Sequence, residues 1–205
     1  MARRVGRDAE SLLDNGGMQL LSVNTARVEN FVATSGQVLD SAIRKRPRQG
    51  AVAVGPLGLE GDEQADLTVH GGQAKAVYAY PQAHYAFWQT VRGQAKVAGL
   101  LQPGDCGENL TLDGLLESGV WLGDVLRFPD CELVVSEPRY PCFKFNAQMG
   151  FNQAAKLMVQ SGYCGFYLAV RREGSLAAGQ AFELLPGPRE VGIVELFKAR
   201  MRGKA

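Results

Sequence analysis

Apolar residues in this chain come in strand-length runs, each closed by glycine, proline, asparagine or aspartate. The stretches at 18–23 (MQLLSV), 37–39, 50–54 (GAVAV), 76–80, 110–112, 120–122, 125–128, 132–136, 165–170 and 180–185 read as strands. Gly123-Asp124 and Pro129-Asp130 are typical of the turn residues between them. Strands so closely spaced leave little room for alternating βαβ units. They predict a mainly β fold, closed or partly open as a barrel, with two or three peripheral helices. One helix is expected to open at Pro81 and to use Ala83, Phe87 and Val91 as its apolar face, with His84 packed on it. Another runs from a cap at Asn152 through Ser161 and stops at Gly162. The runs at 165–170 and 180–185 are expected to pair as a hairpin around Glu173-Gly174-Ser175.

A length of 205 residues with 46% apolar content is enough for one core. The expected organisation is a flexible polar leader at 1–17, a barrel domain at 18–190 and a short tail at 191–205. The 22 basic residues nearly balance the 21 acidic ones, for a net charge of +1, so there is no overall footprint for nucleic acid or an anionic membrane. No apolar run approaches the roughly 20 residues of a membrane span, and the N-terminus lacks the apolar centre of a signal peptide. A cytoplasmic location is expected. The four cysteines form no CxxC pair, and with only two histidines neither a zinc site nor a disulfide scaffold is signalled. Any metal chemistry therefore has to use cysteine or a cofactor's own ligands.

The segment 138–144, PRYPCFK, sets a thiol between two cations and two prolines. Each proline fixes its own φ and pushes its predecessor towards extended geometry, which predicts a rigid, non-helical arm carrying Cys142. Arg139 and Lys144 lie close by, and positive charge favours the thiolate, the nucleophilic and metal-binding form of cysteine. A packing cysteine among surface cations would show the same residues. Upstream, Arg44-Lys45-Arg46-Pro47-Arg48 places four cations in five positions, either a solvated face or an anion-binding lip. The acidic stretch 59–66 reads as a loop, and His70 with Gly71 and Gly72 offers a close backbone approach or a structural histidine. Glu108 and Asn109 would orient a ligand or close a turn.

Seven segments resemble, in order and spacing, the MOSC domain family, the C-terminal domain type of molybdenum-cofactor sulfurases: SAIRKRP at 41–47, GLEGDEQAD at 58–66, VHGG at 69–72, AYPQAHYAFW at 79–88, GENL at 107–110, LGD at 122–124 and EPRYPCFK at 137–144. The resemblance is closest to its stand-alone bacterial, YiiM-like subgroup. It implies a β-barrel, a cleft for the molybdenum-pterin cofactor, and Cys142 as catalytic residue and molybdenum ligand, since a soft anionic sulfur suits a pterin-held transition metal. It further implies that Lys45, Arg139, Lys144 and Gln64 bind cofactor, Lys45 and Arg139 foremost through its phosphate. His70, Asp62 and Asn109 would orient substrate or relay a proton, His70 being the one with an ordinary pKa near neutrality. Cys106, Cys131 and Cys164 are read as structural.

The function implied is a molybdenum-dependent reductase of N-hydroxylated compounds such as hydroxylaminopurines, supplied with electrons by a separate donor protein of the flavin reductase type. The alternative is a non-catalytic carrier of the cofactor or of sulfur on Cys142. A thiol hydrolase would require Cys142 and His70 within hydrogen-bond reach. Pyridoxal phosphate, a family-level association, belongs to a separate aminotransferase-like domain and is not expected here.

Overall fold

The computed structural model describes residues 17–33, 36–65 and 71–203. The leader expected at 1–17 falls, but for Gly17, outside the described residues. In chain order the first strands are β1 Gln19–Thr25, β2 Glu29–Val32, β3 Val38–Ser41, β4 Arg46–Pro47, β5 Val52–Gly55, β6 Gly58–Leu59 and β7 Val77–Pro81. Helix α1 Tyr85–Gln94 leads to β8 Leu110–Asp113, β9 Val125–Arg127 and β10 Glu132–Pro138. Helices α2 Phe143–Met149 and α3 Ala154–Ser161 then precede β11 Phe166–Arg172, β12 Gly174–Leu176, β13 Glu183–Leu185 and the final helix α4 Ile193–Arg202.

One eight-stranded sheet, in the order β13-β9-β10-β11-β7-β8-β1-β4, dominates the molecule. Its pairs are antiparallel except β7 with β8, which α1 joins by a crossover. Among the described residues two smaller sheets, β12-β5-β6 and the hairpin β2-β3, complete the β structure. β7 lies between two strands and is buried along its whole length, which suits the unbroken apolar run VYAYP. Leu110, Leu112, Phe166 and Leu168 from its two neighbours, Leu20 from β1, Leu133 from β10 and Trp88 from α1 close the core without solvent exposure.

The mainly β expectation holds, but the strands do not close into a full barrel. The sheet curls until the residues just before β13 reach β1, where Ala181 bridges Gln19. Leu20 N–H donates to the Gln180 carbonyl at 2.9 Å, and Phe182 N–H to that of Met18 at 3.1 Å. Those few bonds stitch the gap without a continuous ladder. The described residues hold four α-helices rather than two or three, because the tail supplies α4, whose Ile193 and Phe197 are buried.

Other expectations need correction. Pro81 ends β7 instead of opening a helix; it is extended at φ −68° and ψ 124°, and a 3-10 turn at Gln82–His84 intervenes before α1. The stretch 120–122 makes only the bridge from Trp121 to Gly192. No hairpin joins 165–170 to 180–185. Both edges of β11 are already taken by β10 and β7, so β12 pairs with β5 and β13 with β9. The proline arm stays extended only as far as Cys142, after which Phe143 begins α2 and Lys144 lies on that helix. No proline lies within α2 to oppose helix formation, and Gly150 ends it in the left-handed region at φ 81°.

Candidate active-site cleft

Cys142 stands at the N-terminal cap of α2 with φ −130° and ψ 162°, half-buried. Its side borders a cleft of about 100 Å³ between the ends of β7, β10 and β11 and the loops after β3 and β6. Lys45, Asp62, Gln64, Asn109, Arg139 and Lys144 line the same cleft. The structure thus brings together seven of the eight residues singled out from the sequence. The eighth, His70, lies outside the described residues. Ser41, Lys75, Tyr78 and Tyr167 also line the cleft and escaped the sequence reading. Lys75 carries a charge that could have drawn notice, but it sits in a short 3-10 turn with no motif around it.

Lys45 is 7% exposed and gives Nζ–H to Asp62 Oδ1 at 2.5 Å. The same oxygen accepts from Ala26 N–H at 2.8 Å, while Oδ2 accepts from Asn109 Nδ2 at 2.9 Å. Burial pulls the Lys45 pKa below the ordinary lysine value, against the opposing pull of Asp62. Asn109 is itself fully used: Nδ2 also donates to the Asn24 carbonyl at 3.1 Å, and Oδ1 accepts from Tyr78 N–H at 3.0 Å. Asp62 and Asn109 therefore hold the wall of the cleft and aim Lys45. Gln64 has a comparable task. Its Oε1 accepts from Gly72 N–H, and its Nε2 donates to the Lys75 carbonyl at 3.2 Å, which ties its loop to the turn bearing Lys75.

Arg139 is 5% exposed, with its guanidinium carbon 5.1 Å from the centre of the Tyr78 ring and 4.9 Å from that of Phe145. Nη1 reaches Met158 Sδ at 3.8 Å. Burial opposes its charge, yet Tyr78 and Cys142 outweigh that cost and hold its pKa above the usual value. Among the described residues no carboxylate forms an ion pair with it. The two aromatic faces are its principal support. Lys144 donates to the Asp40 carbonyl at 2.8 Å, and Lys75 approaches Glu137 at 3.7 Å and the Tyr167 ring at 5.9 Å. Four cations thus line the cleft that the half-buried Cys142 borders. Burial pushes the Tyr78 and Tyr167 phenols upward, so both stay neutral.

Cys106, Cys131 and Cys164 are buried in the core, and burial raises each thiol, Cys131 to about 12. Their structural reading fits. Glu108 turns away from the cleft and closes the turn, accepting from Gly104 N–H at 2.8 Å. His84 pairs with Glu117 at 2.7 Å and stacks on Tyr163, so it packs rather than ligates. Among the described residues no group of three or more His, Cys, Asp or Glu could hold a metal, and no helix is long and apolar enough to cross a membrane.

A family model described as MOSC domain matches residues 66–183. Protein YiiM of Escherichia coli (strain K12) is 39% identical over 155 residues, 76% of this chain and 68% of that protein. A protein of Gibberella moniliformis named reductase is 33% identical over 170 residues, 82% of this chain but 29% of its own length. The crystal structure of YiiM from Geobacillus stearothermophilus superposes with a TM-score of 0.73 at 29% identity, covering 91% of this chain and 85% of that one.

Proposed function

Because the chain belongs to the MOSC domain family, we propose that its cleft binds the molybdenum cofactor with Cys142 as a metal ligand, and that it reduces N-hydroxylated compounds such as hydroxylaminopurines. The family is associated with this cofactor in general, and the likeness to a protein named reductase supports redox chemistry. The observation that carries the reading is the half-buried Cys142 bordering a cleft walled by Lys45, Lys75, Arg139 and Lys144. The residues fit the group. One soft sulfur suffices where a pterin brings its own metal ligands, and a buried guanidinium without a carboxylate partner suits a phosphate. When bound, the cofactor supplies two-electron redox chemistry. Arg139 and Lys144 would hold its phosphate, Gln64 positions the turn of Lys75, and a separate donor protein of the flavin reductase type would provide the electrons.

The test is metal and pterin analysis of protein purified from a host that makes the cofactor. Wild type is expected to carry both, and Cys142→Ser to lose most of the molybdenum while keeping its thermal midpoint. Neither component in wild type, together with identical behaviour of Cys142→Ser in an N-hydroxylaminopurine sensitivity assay, would sink the proposal. Loaded protein that fails to turn over substrate with an artificial electron donor would point to a carrier.

A further inference from the structure

Reduction of an N-hydroxylated substrate follows R–NHOH + 2e⁻ + 2H⁺ → R–NH₂ + H₂O. The N–O bond breaks, nitrogen takes the electron pair that originates with the external donor, and the departing oxygen needs a proton to leave as water. Hydroxide is a poor leaving group near neutrality, so the cleft requires an acid placed at that oxygen. The charged groups described around it differ sharply in their fitness for this. Arg139 does not release its proton in any useful range. Asp62 already accepts three hydrogen bonds and serves as a carboxylate. Tyr78 and Tyr167 are made weaker acids by burial. Lys144 donates to the Asp40 carbonyl and Lys75 leans towards Glu137 at 3.7 Å, and both are less buried than Lys45.

Resting on the reductase reading above, we propose that Lys45 is the acid that protonates the departing oxygen, with Asp62 and Asn109 as its positioning residues. Among the described residues Asp62 is the only acceptor of its Nζ, which leaves two of the three N–H donors of a buried cation on the wall of the cleft. Asp62 is fixed from the backbone side by Ala26 and from the turn before β8 by Asn109, so the ammonium cannot swing away without giving up its bond to a carboxylate held on both oxygens. The lowered pKa of Lys45 brings its acidity closer to neutrality, where a general acid works best. The charged groups around it are Asp62 from the loop after β6, Glu108 from the turn before β8, and Arg46, which bonds the Lys45 carbonyl at 3.2 Å. After each turnover the amine regains its proton from water, and the second proton goes to nitrogen from solvent.

The experiment compares wild type, Lys45→Arg and Asp62→Asn as loaded protein for molybdenum content, KM and kcat across pH. A ¹³C-lysine NMR titration of the cofactor-free full chain accompanies it, with the Lys45 signal assigned by its loss in Lys45→Arg. Lys45 should titrate below the ordinary value of 10.5, and wild-type kcat should fall about tenfold per pH unit above that point. Lys45→Arg keeps the charge, the metal and KM, but loses about 10²–10⁴-fold in kcat together with the descending limb. Asp62→Asn removes the negative neighbour and moves the limb to lower pH. Lys45→Arg with kcat within threefold of wild type, a limb unmoved in Asp62→Asn, or a Lys45 titration at or above the ordinary value each overturns the assignment of Lys45 alone. Wild type without metal and turnover overturns the reductase reading and this role with it.

Discussion

Glu108 shows how much a single buried group reveals. Its Oε1 accepts from the Tyr85 hydroxyl, from Gly104 N–H and from the Thr111 hydroxyl, whereas Oε2 is buried with no partner among the described residues. Burial raises its pKa above 4.5, and the three donors offset this only in part. The native state then holds the proton more tightly than the unfolded chain. Its contribution to stability is complete below the unfolded pKa and is lost as pH rises through the folded one. Glu108→Gln does not titrate, so by calorimetry its thermal midpoint relative to wild type should climb as pH rises above the ordinary carboxyl value of 4.5 and level off once the folded-state carboxyl has ionised. A gap that stays constant would contradict this. The GENL motif marked the turn, but which oxygen lacks a partner depends on Tyr85 and Thr111, and no local pattern reveals that.

At the level of elements, the cleft depends on how closely β7, β11 and the Cys142 arm approach one another, and Gly165 sets that distance. Its φ is +61°, and an added Cβ would lie 2.4 Å from the Ala79 carbonyl oxygen and 2.8 Å from the Tyr78 and Tyr80 rings. Its N–H donates to Glu117 Oε1 at 2.7 Å, and its carbonyl accepts from Arg139 N–H at 3.4 Å. Gly165→Ala combines overpacking with a left-handed backbone and should cost about 2–4 kcal/mol, measured as a lower urea midpoint with an unchanged m-value. The folded fraction should also retain less molybdenum, because Arg139 and the arm shift with the strand. From the other side, Tyr140 stacks on Phe197 of α4, which fastens the arm to the tail helix. The prolines made the extended course up to Cys142 readable, since φ restriction is local. The onset of α2 was not, because a helix of seven residues owes its stability to the α3 and core surfaces it covers, with Phe145 and Met149 fully buried.

For the molecule as a whole, charge is nearly balanced at +1, yet four cations converge on one cleft. Attraction for anions is therefore local and should be screened at a Debye length of about 8 Å in 0.15 M salt. Calorimetric binding of inorganic pyrophosphate to the cofactor-free protein should weaken severalfold between 50 and 500 mM salt, and Arg139→Gln should abolish most of it. Salt-independent binding would remove the cleft as an anion site. What the sequence determined by itself was the inventory: strand-length runs, turns at glycine and proline, a stiffened thiol and the motifs of its family. These follow from φ restriction and side-chain alternation, which act between near neighbours. Only the tertiary structure decided that β13 joins β9, that Ala181 bridges Gln19, that Lys45 finds Asp62 and that Arg139 lies between two rings. Such pairings join residues remote along the chain, and their energy depends on burial and geometry that exist only once the sheet has curled.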